Sequence, residues 1–178
     1  ISMNKLSQAR KFDIKVRVKD LKSIKSTPYE EWPEEWKKVY FKSYPRLDQI
    51  LLPNPSSNRF DLFEALLARE SCRDFSGQPL NRQSLSDLIY YSCGIKSGLD
   101  KRMHPSAGGR YPLEIYPFIF NVSNIEESVY HYHLKSHSLE LLLNNQIYNH
   151  TMKQFNQIWI KKSNLLLVMT AVFDRAEV

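Results

Sequence analysis

Residues 165–173, LLLVMTAVF, constrain the fold of this 178-residue chain more than any other stretch. They are too few to cross a membrane as a helix, which takes ~20 apolar residues. They are also too evenly apolar for a strand with one wet face. The whole run over 164–173 therefore reads as a strand buried on both faces, which demands strand neighbours and covering layers. Residues 113–120 and 128–133, rich in aromatic and branched side chains, read as further strands. Helical spacing appears over 59–68 (Phe60, Phe63, Leu66, Leu67, with Asn58 as N-cap) and over 84–93 (Leu85, Leu88, Ile89). It appears again over 151–161, where Met152, Phe155 and Trp159 would face inward. Gly94 is expected to end the second helix as a left-handed cap. The order helix, helix, strand, strand, helix, strand predicts a mixed α and β domain.

The chain divides on the page at the turn-rich residues 54–58, giving an extension over 1–57 and a main domain over 58–178. Within the extension, 11–18 (KFDIKVRV) alternates as a half-buried strand. Trp32, Trp36, Tyr40 and Tyr44 recur every four residues, but Pro33 and Pro45 confine any helix there to a short one. The net charge is +6, and residues 1–50 carry 12 basic against 7 acidic side chains, so most of the excess sits in the extension. These charges are scattered and no nucleic-acid motif accompanies them, so they read as a solvated face and no nucleic acid is expected. No membrane segment and no secretory leader is apparent, which points to the cytoplasm. In that compartment Cys72 and Cys93 are expected to be reduced, and their separation fits no zinc spacing. His131, His133 and His137 also lack a recognised metal-ligand spacing, so no metal is assigned.

Two segments carry chemistry. Arg69-Glu-Ser-Cys-Arg-Asp-Phe75 follows a predicted helix, and its two arginines and one serine could clasp a phosphate with bidentate guanidinium bonds and a hydroxyl. On composition alone the favoured reading of the same residues is a helix C-terminus whose arginines suit the dipole and sit in solvent. His104-Pro-Ser-Ala-Gly-Gly-Arg-Tyr-Pro-Leu-Glu-Ile-Tyr116 is a small-residue loop feeding a strand. A flat ligand could lie against the bare backbone of Ala107, Gly108 and Gly109, or the glycines could simply make a tight turn. Adjacent glycines leading into a strand are not a dinucleotide fingerprint.

Taken together, RxSxRxF, then PSAGGRYPLEIY, then VYHYHLKSHSLELL, resemble the nitroreductase-like flavoproteins. They are most similar to the SagB-type branch, FMN-dependent dehydrogenases of thiazole- and oxazole-modified peptide biosynthesis. EEWPEEWKKVYFKSYPR and LIYYSCGI look like that branch as well. The resemblance implies an α+β sandwich, a mostly antiparallel central sheet flanked by helices, assembled as a homodimer with FMN at the subunit interface. It implies that Arg69, Ser71 and Arg73 hold the phosphate and ribityl chain of FMN. Pro105, Ser106, Ala107 and Gly108 would lie along the isoalloxazine ring, and Tyr130 and Tyr132 would be packing residues. The implied reaction oxidises a peptide azoline to an azole, beside a possible cyclodehydratase partner.

The chain departs from that family at its end. Where the resembled proteins continue from this strand into a Lys-Tyr pair and an Arg-rich helix, this sequence stops at Val178. The sandwich is accordingly expected to be incomplete. No catalytic base is assigned, and Glu114 and Tyr111, although near the loop, are not expected to act as one. Two alternatives stand beside the dehydrogenase: a flavin-free scaffold for a peptide or cyclodehydratase partner, and a nicotinamide-dependent nitroreductase acting on small molecules.

Overall fold

The structure, a computed structural model, describes residues 28–32, 34–57, 60–96, 98–144 and 146–175. The strand expected over 11–18 lies outside the described residues. The chain forms two units, Ile1–Lys37 and Lys38–Val178. In the first, a 3-10 turn at Tyr29–Glu31 precedes the single-turn helix α1 (Glu34–Lys37), where Lys37 Nζ donates to Glu34 Oε1 at 2.9 Å and Glu30 O at 3.2 Å. A helix this short is what the prolines at 33 and 45 lead one to expect.

The second unit is built on one five-stranded sheet: β1 (Gln49–Leu51), β2 (Leu113–Ile119), β3 (Ser128–His133), β4 (Ser138–Leu143) and β5 (Leu165–Ala171). Their spatial order is β1-β4-β3-β2-β5, with every neighbouring pair antiparallel. Residues 49–51, in the stretch assigned to the extension, thus contribute an edge strand. Helices α2 (Leu62–Ala68) and α3 (Arg82–Cys93) lie between β1 and β2 in sequence, and α4 (Tyr148–Met152) comes before β5.

The core lies between α3 and one face of the sheet. Leu85, Ile89 and Cys93 of α3 pack with Ile115, Ile119, Tyr130, Tyr132 and Leu139. Alternation puts these residues on one side of their strands. Each large apolar side chain fully buried there stabilises the fold by about 1.5–3 kcal/mol. Tyr130 and Tyr132 are packing residues, as the resemblance implies. The opposite face carries Glu114 and Tyr116 on β2, His131 on β3 and Glu140 on β4.

Several expectations are corrected. Helix α2 begins at Leu62 with Asp61 as its cap, its carboxylate accepting from the N–H of Phe63 and Glu64. Its apolar residues are exposed, not buried (Leu67 at 88%), because nothing among the described residues covers them. Gly94 caps α3 with extended φ −68°, not a left-handed value. The helix expected over 151–161 is two pieces, α4 and a 3-10 turn at Ile158–Lys162. Branched and aromatic residues at 158–160 favour helix poorly, and their spacing mimics a helical period. Finally, β5 is an edge strand whose last four residues are exposed, so the apolar run is not covered on both faces here. A run's composition records that it must be covered, not by what.

Candidate functional site

Helix α2 stops at Arg69, whose N–H donates to Ala65 O while its own backbone turns extended. That release carries Arg69, Ser71 and Arg73 outward. All three are exposed, and no hydrogen bond or ion pair ties their side chains among the described residues. The segment is fastened just beyond them. Asp74 pairs with Lys162 at 3.8 Å, the Phe75 ring lies 5.8 Å from Trp159, and Gln78 O accepts from Asn164 Nδ2 at 2.8 Å. Two guanidinium groups with no structural partner are free to bind an anion.

The second motif turns through a 3-10 element, Ala107–Gly109, with φ +61° at Gly108 and +65° at Gly109. Pro105, Ala107, Gly108 and Gly109 are exposed, and a Cβ placed on Gly109 would meet nothing within 4 Å, so the backbone there is an open shelf. Ser106 is committed inside the loop: its Oγ accepts the Tyr111 N–H at 2.8 Å. Beneath the shelf, His104 packs edge-on to Tyr111, and its buried Nε2 has no hydrogen-bond partner. Burial, aided by the Arg102 charge, pushes His104 below the ordinary histidine range.

The two motifs sit at opposite ends of the β2–β5 ladder. Asp74–Gln78 is fixed where Ile119 faces Leu165, and Ser106–Tyr111 where Leu113 faces Ala171. The six-residue step along β2 between those ends is about 20 Å.

Between them lies a cluster of charge that sequence reading missed. His131, Glu114 and Glu140 are each 0% exposed. His131 Nε2 lies 3.1 Å from Glu114 Oε2, and its Nδ1 lies 2.7 Å from Glu140 Oε2. Glu140 Oε1 accepts the Tyr44 N–H at 2.8 Å and the Ser43 hydroxyl at 3.2 Å. Glu114 Oε1 pairs with Arg175 and lies 3.9 Å from Arg102 Nη2. Burial alone would raise the Glu114 carboxyl, but hydrogen bonds from His131 and Arg175 and the charges of both arginines hold it below the ordinary carboxylate range. The missed signal was an acidic residue at an inward strand position, where charge survives only if paired. Lys42 lies nearby, donating to Tyr116 at 2.7 Å. Burial would lower its ammonium, but hydrogen bonds to Tyr116 and Tyr44 raise it on balance. A cleft of about 510 Å³ opens beside Phe118, Val129 and Ile147, and neither motif lines it. No group of His, Cys, Asp and Glu among the described residues is arranged to hold a metal, and no helix among them is long and apolar enough to cross a membrane. Cys72 is exposed, Cys93 is buried, and both are free thiols.

The sheet and its helices form a nitroreductase-like fold. A solved Ralstonia eutropha protein carrying the nitroreductase name superposes with a TM-score of 0.61 at 27% identity, over 72% of this chain and 58% of that one. A second, from Anabaena variabilis, gives 0.54 at 21% identity, over 94% and 32%. A curated Methanocaldococcus jannaschii protein, also named a nitroreductase, is 28% identical over 129 residues, 72% of this chain and 65% of that protein. The chain therefore spans about two-thirds of the Methanocaldococcus protein, three-fifths of the Ralstonia protein and one-third of the Anabaena protein. No family model matches it.

Proposed function

We propose that this chain is an FMN-dependent oxidoreductase whose flavin site is completed between two copies. One observation carries the reading: two exposed motifs, each suited to one end of FMN, adjoin opposite ends of the β2–β5 ladder, a span of about 20 Å along β2. Arg69, Ser71 and Arg73 suit the phosphate and ribityl end: two free guanidinium forks meet a dianion, and a hydroxyl adds a donor. Pro105, Ser106, Ala107 and Gly108 suit the ring end, because a shelf without side chains admits a planar group to the backbone. The donor set thus fits FMN. When bound, FMN would supply two-electron redox chemistry, which protein side chains do not provide. The residues of this chain bind and orient it, and the fixed loop keeps its backbone N–H groups in place.

Within this reading, the SagB-like motifs favour dehydrogenation of a peptide azoline to an azole, in which the ring loses two electrons and two protons. The nitroreductase names of the Methanocaldococcus and Ralstonia proteins favour reduction of a small aromatic substrate by a nicotinamide donor instead. Reduction of the bound flavin by NADPH or NADH alone separates the two.

The shared site is tested by mixing. Arg69→Ala disables one half-site and Gly108→Val blocks the other. Neither variant alone should bind FMN tightly, but dimers formed from a mixture should regain tight sites. A mixture that regains none would mean that both motifs serve one chain, or that neither holds flavin.

A further inference from the structure

Glu114 sits two residues past the end of the shelf loop, fully buried, and touches three cationic or potentially cationic groups. Two of these grip the loop where it runs into β2. Arg102, before the loop, is 2% exposed and donates to Leu113 O at 2.6 Å and Tyr40 O at 3.1 Å. Its guanidinium also lies 5.4 Å from the Tyr111 ring and 5.8 Å from Phe41. Arg175, beyond β5, donates to Tyr111 O at 3.3 Å while it pairs with Glu114. The third, His131, ties the carboxylate to the next strand at 3.1 Å.

The enclosed loop needs such a grip. Gly108, Gly109 and Tyr111 all adopt positive φ, and at Tyr111 (φ +49°) a side chain makes that conformation unfavourable. The bonds across the turn are local: Gly109 N–H to Ser106 O at 3.1 Å, Arg110 N–H to Ala107 O at 3.5 Å and Tyr111 N–H to Ser106 Oγ at 2.8 Å. Local bonds alone do not hold a strained turn; the surroundings must over-determine it.

We propose that Glu114 is a positioning residue for the shelf. Its carboxylate fixes Arg102 and Arg175, and these two clamp the loop at Leu113 and Tyr111, setting the surface that the flavin ring would meet. A glutamine has the same shape but no charge, and cannot neutralise the buried Arg102 and half-buried Arg175 guanidinium groups. The inference rests on the flavin reading only for what the shelf binds, since the clamp itself is independent of it.

The test compares Glu114→Gln with Glu140→Gln in the full chain. Both remove a buried carboxylate from one cluster, but Glu140 bonds Ser43, Tyr44 and His131 and makes no contact with the loop. Hydrogen exchange at the amides of residues 106–110 should quicken at least tenfold in Glu114→Gln and stay at the wild-type rate in Glu140→Gln. FMN should bind at least tenfold more weakly to Glu114→Gln than to the wild type. Wild-type exchange in Glu114→Gln, or equal quickening in both variants, would overturn the clamp. If Glu114→Gln does not fold, Arg175→Met, at the outer end of the pair, takes its place with the same criteria. A wild type that takes up no FMN would overturn the flavin reading, while the exchange comparison still decides the clamp.

Discussion

Tyr132 and His137 share a 2.8 Å hydrogen bond in which the hydroxyl donates to Nδ1, a direction set by Nε2 facing the Pro53 carbonyl, which can only accept. Nε2 then carries the hydrogen, directed at Ser86 Oγ (2.7 Å) and Pro53 O (3.1 Å). Burial lowers His137 below its ordinary value of 6.5, against the opposing pull of Pro53 and Asp87. The staple ties three parts of the domain together: the segment after β1, helix α3, and the turn between β3 and β4.

An acid sensitivity follows. A histidine held neutral in the fold takes up its proton more readily when unfolded, so its stabilisation is complete above the unfolded value and declines as pH falls below it. His104, lowered in the same direction, adds to the loss. Glu114, lowered from 4.5, contributes only below that value. Thermal melts should therefore show a loss of stability between about pH 7 and about pH 5, smaller in His137→Gln than in the wild type. Equal losses in the two proteins would remove His137 from this account.

Arg69 has no structural partner, so Arg69→Ala should leave the melting temperature nearly unchanged, within about 0.5 kcal/mol of stability. A charged contact to phosphate contributes roughly 1.5–3 kcal/mol, so FMN affinity should fall by about 10- to 150-fold. Fluorescence titration reads this directly. Unchanged affinity would exclude Arg69 from the phosphate site.

Much of the sheet was legible because the aromatic and branched residues of 113–120 and 128–133 form β2 and β3 almost to the residue. β4 was not, since SLELLL carries a glutamate whose partner lies nine residues earlier in sequence, on the neighbouring strand. The motif residues were named from the resemblance alone, and Arg69, Ser71 and Arg73 all lie exposed. The charge cluster was not legible, because Arg102, Glu114, His131, Glu140 and Arg175 meet only through tertiary pairing. Helix α2 shows the complementary limit: its apolar spacing was read correctly as a helix, but period alone cannot name the surface that covers it.

That limit gives a contrast within the helices. Leu85 of α3 is 0% exposed, and Leu85→Ala should cost about 2–5 kcal/mol, the range for a buried leucine left as a cavity. Leu67 of α2 is 88% exposed, and Leu67→Ala should cost less than about 0.5 kcal/mol in the isolated chain. In the proposed dimer, a larger cost at Leu67 that depends on protein concentration would mean that the partner copy covers α2. Denaturant titration at two concentrations distinguishes these outcomes.

Gly94 tests why a glycine ends α3. The sequence suggested a left-handed cap, but φ is −68°, a value any residue adopts, so conformational freedom is not the reason. Close approach is: a Cβ at this position would stand 2.6 Å from Tyr90 O and 2.8 Å from Tyr90 Cδ2. The Gly94 N–H donates to that same carbonyl at 2.7 Å, so the backbone cannot retreat without breaking the terminal bond of the helix. An open site with this φ would gain about 0.4–1 kcal/mol from alanine, through the loss of freedom in the unfolded chain. Gly94→Ala should instead lose about 1–3 kcal/mol, the usual cost of overpacking. Gly98, with φ +73° and no atom within 4 Å of a built Cβ, provides the opposite case. Gly98→Ala should pay only the left-handed penalty of about 1–2 kcal/mol, without disturbing α3. Helical exchange protection at Tyr90 and Cys93 should therefore drop in Gly94→Ala and hold in Gly98→Ala, and a stabilised Gly94→Ala would refute the close-approach account.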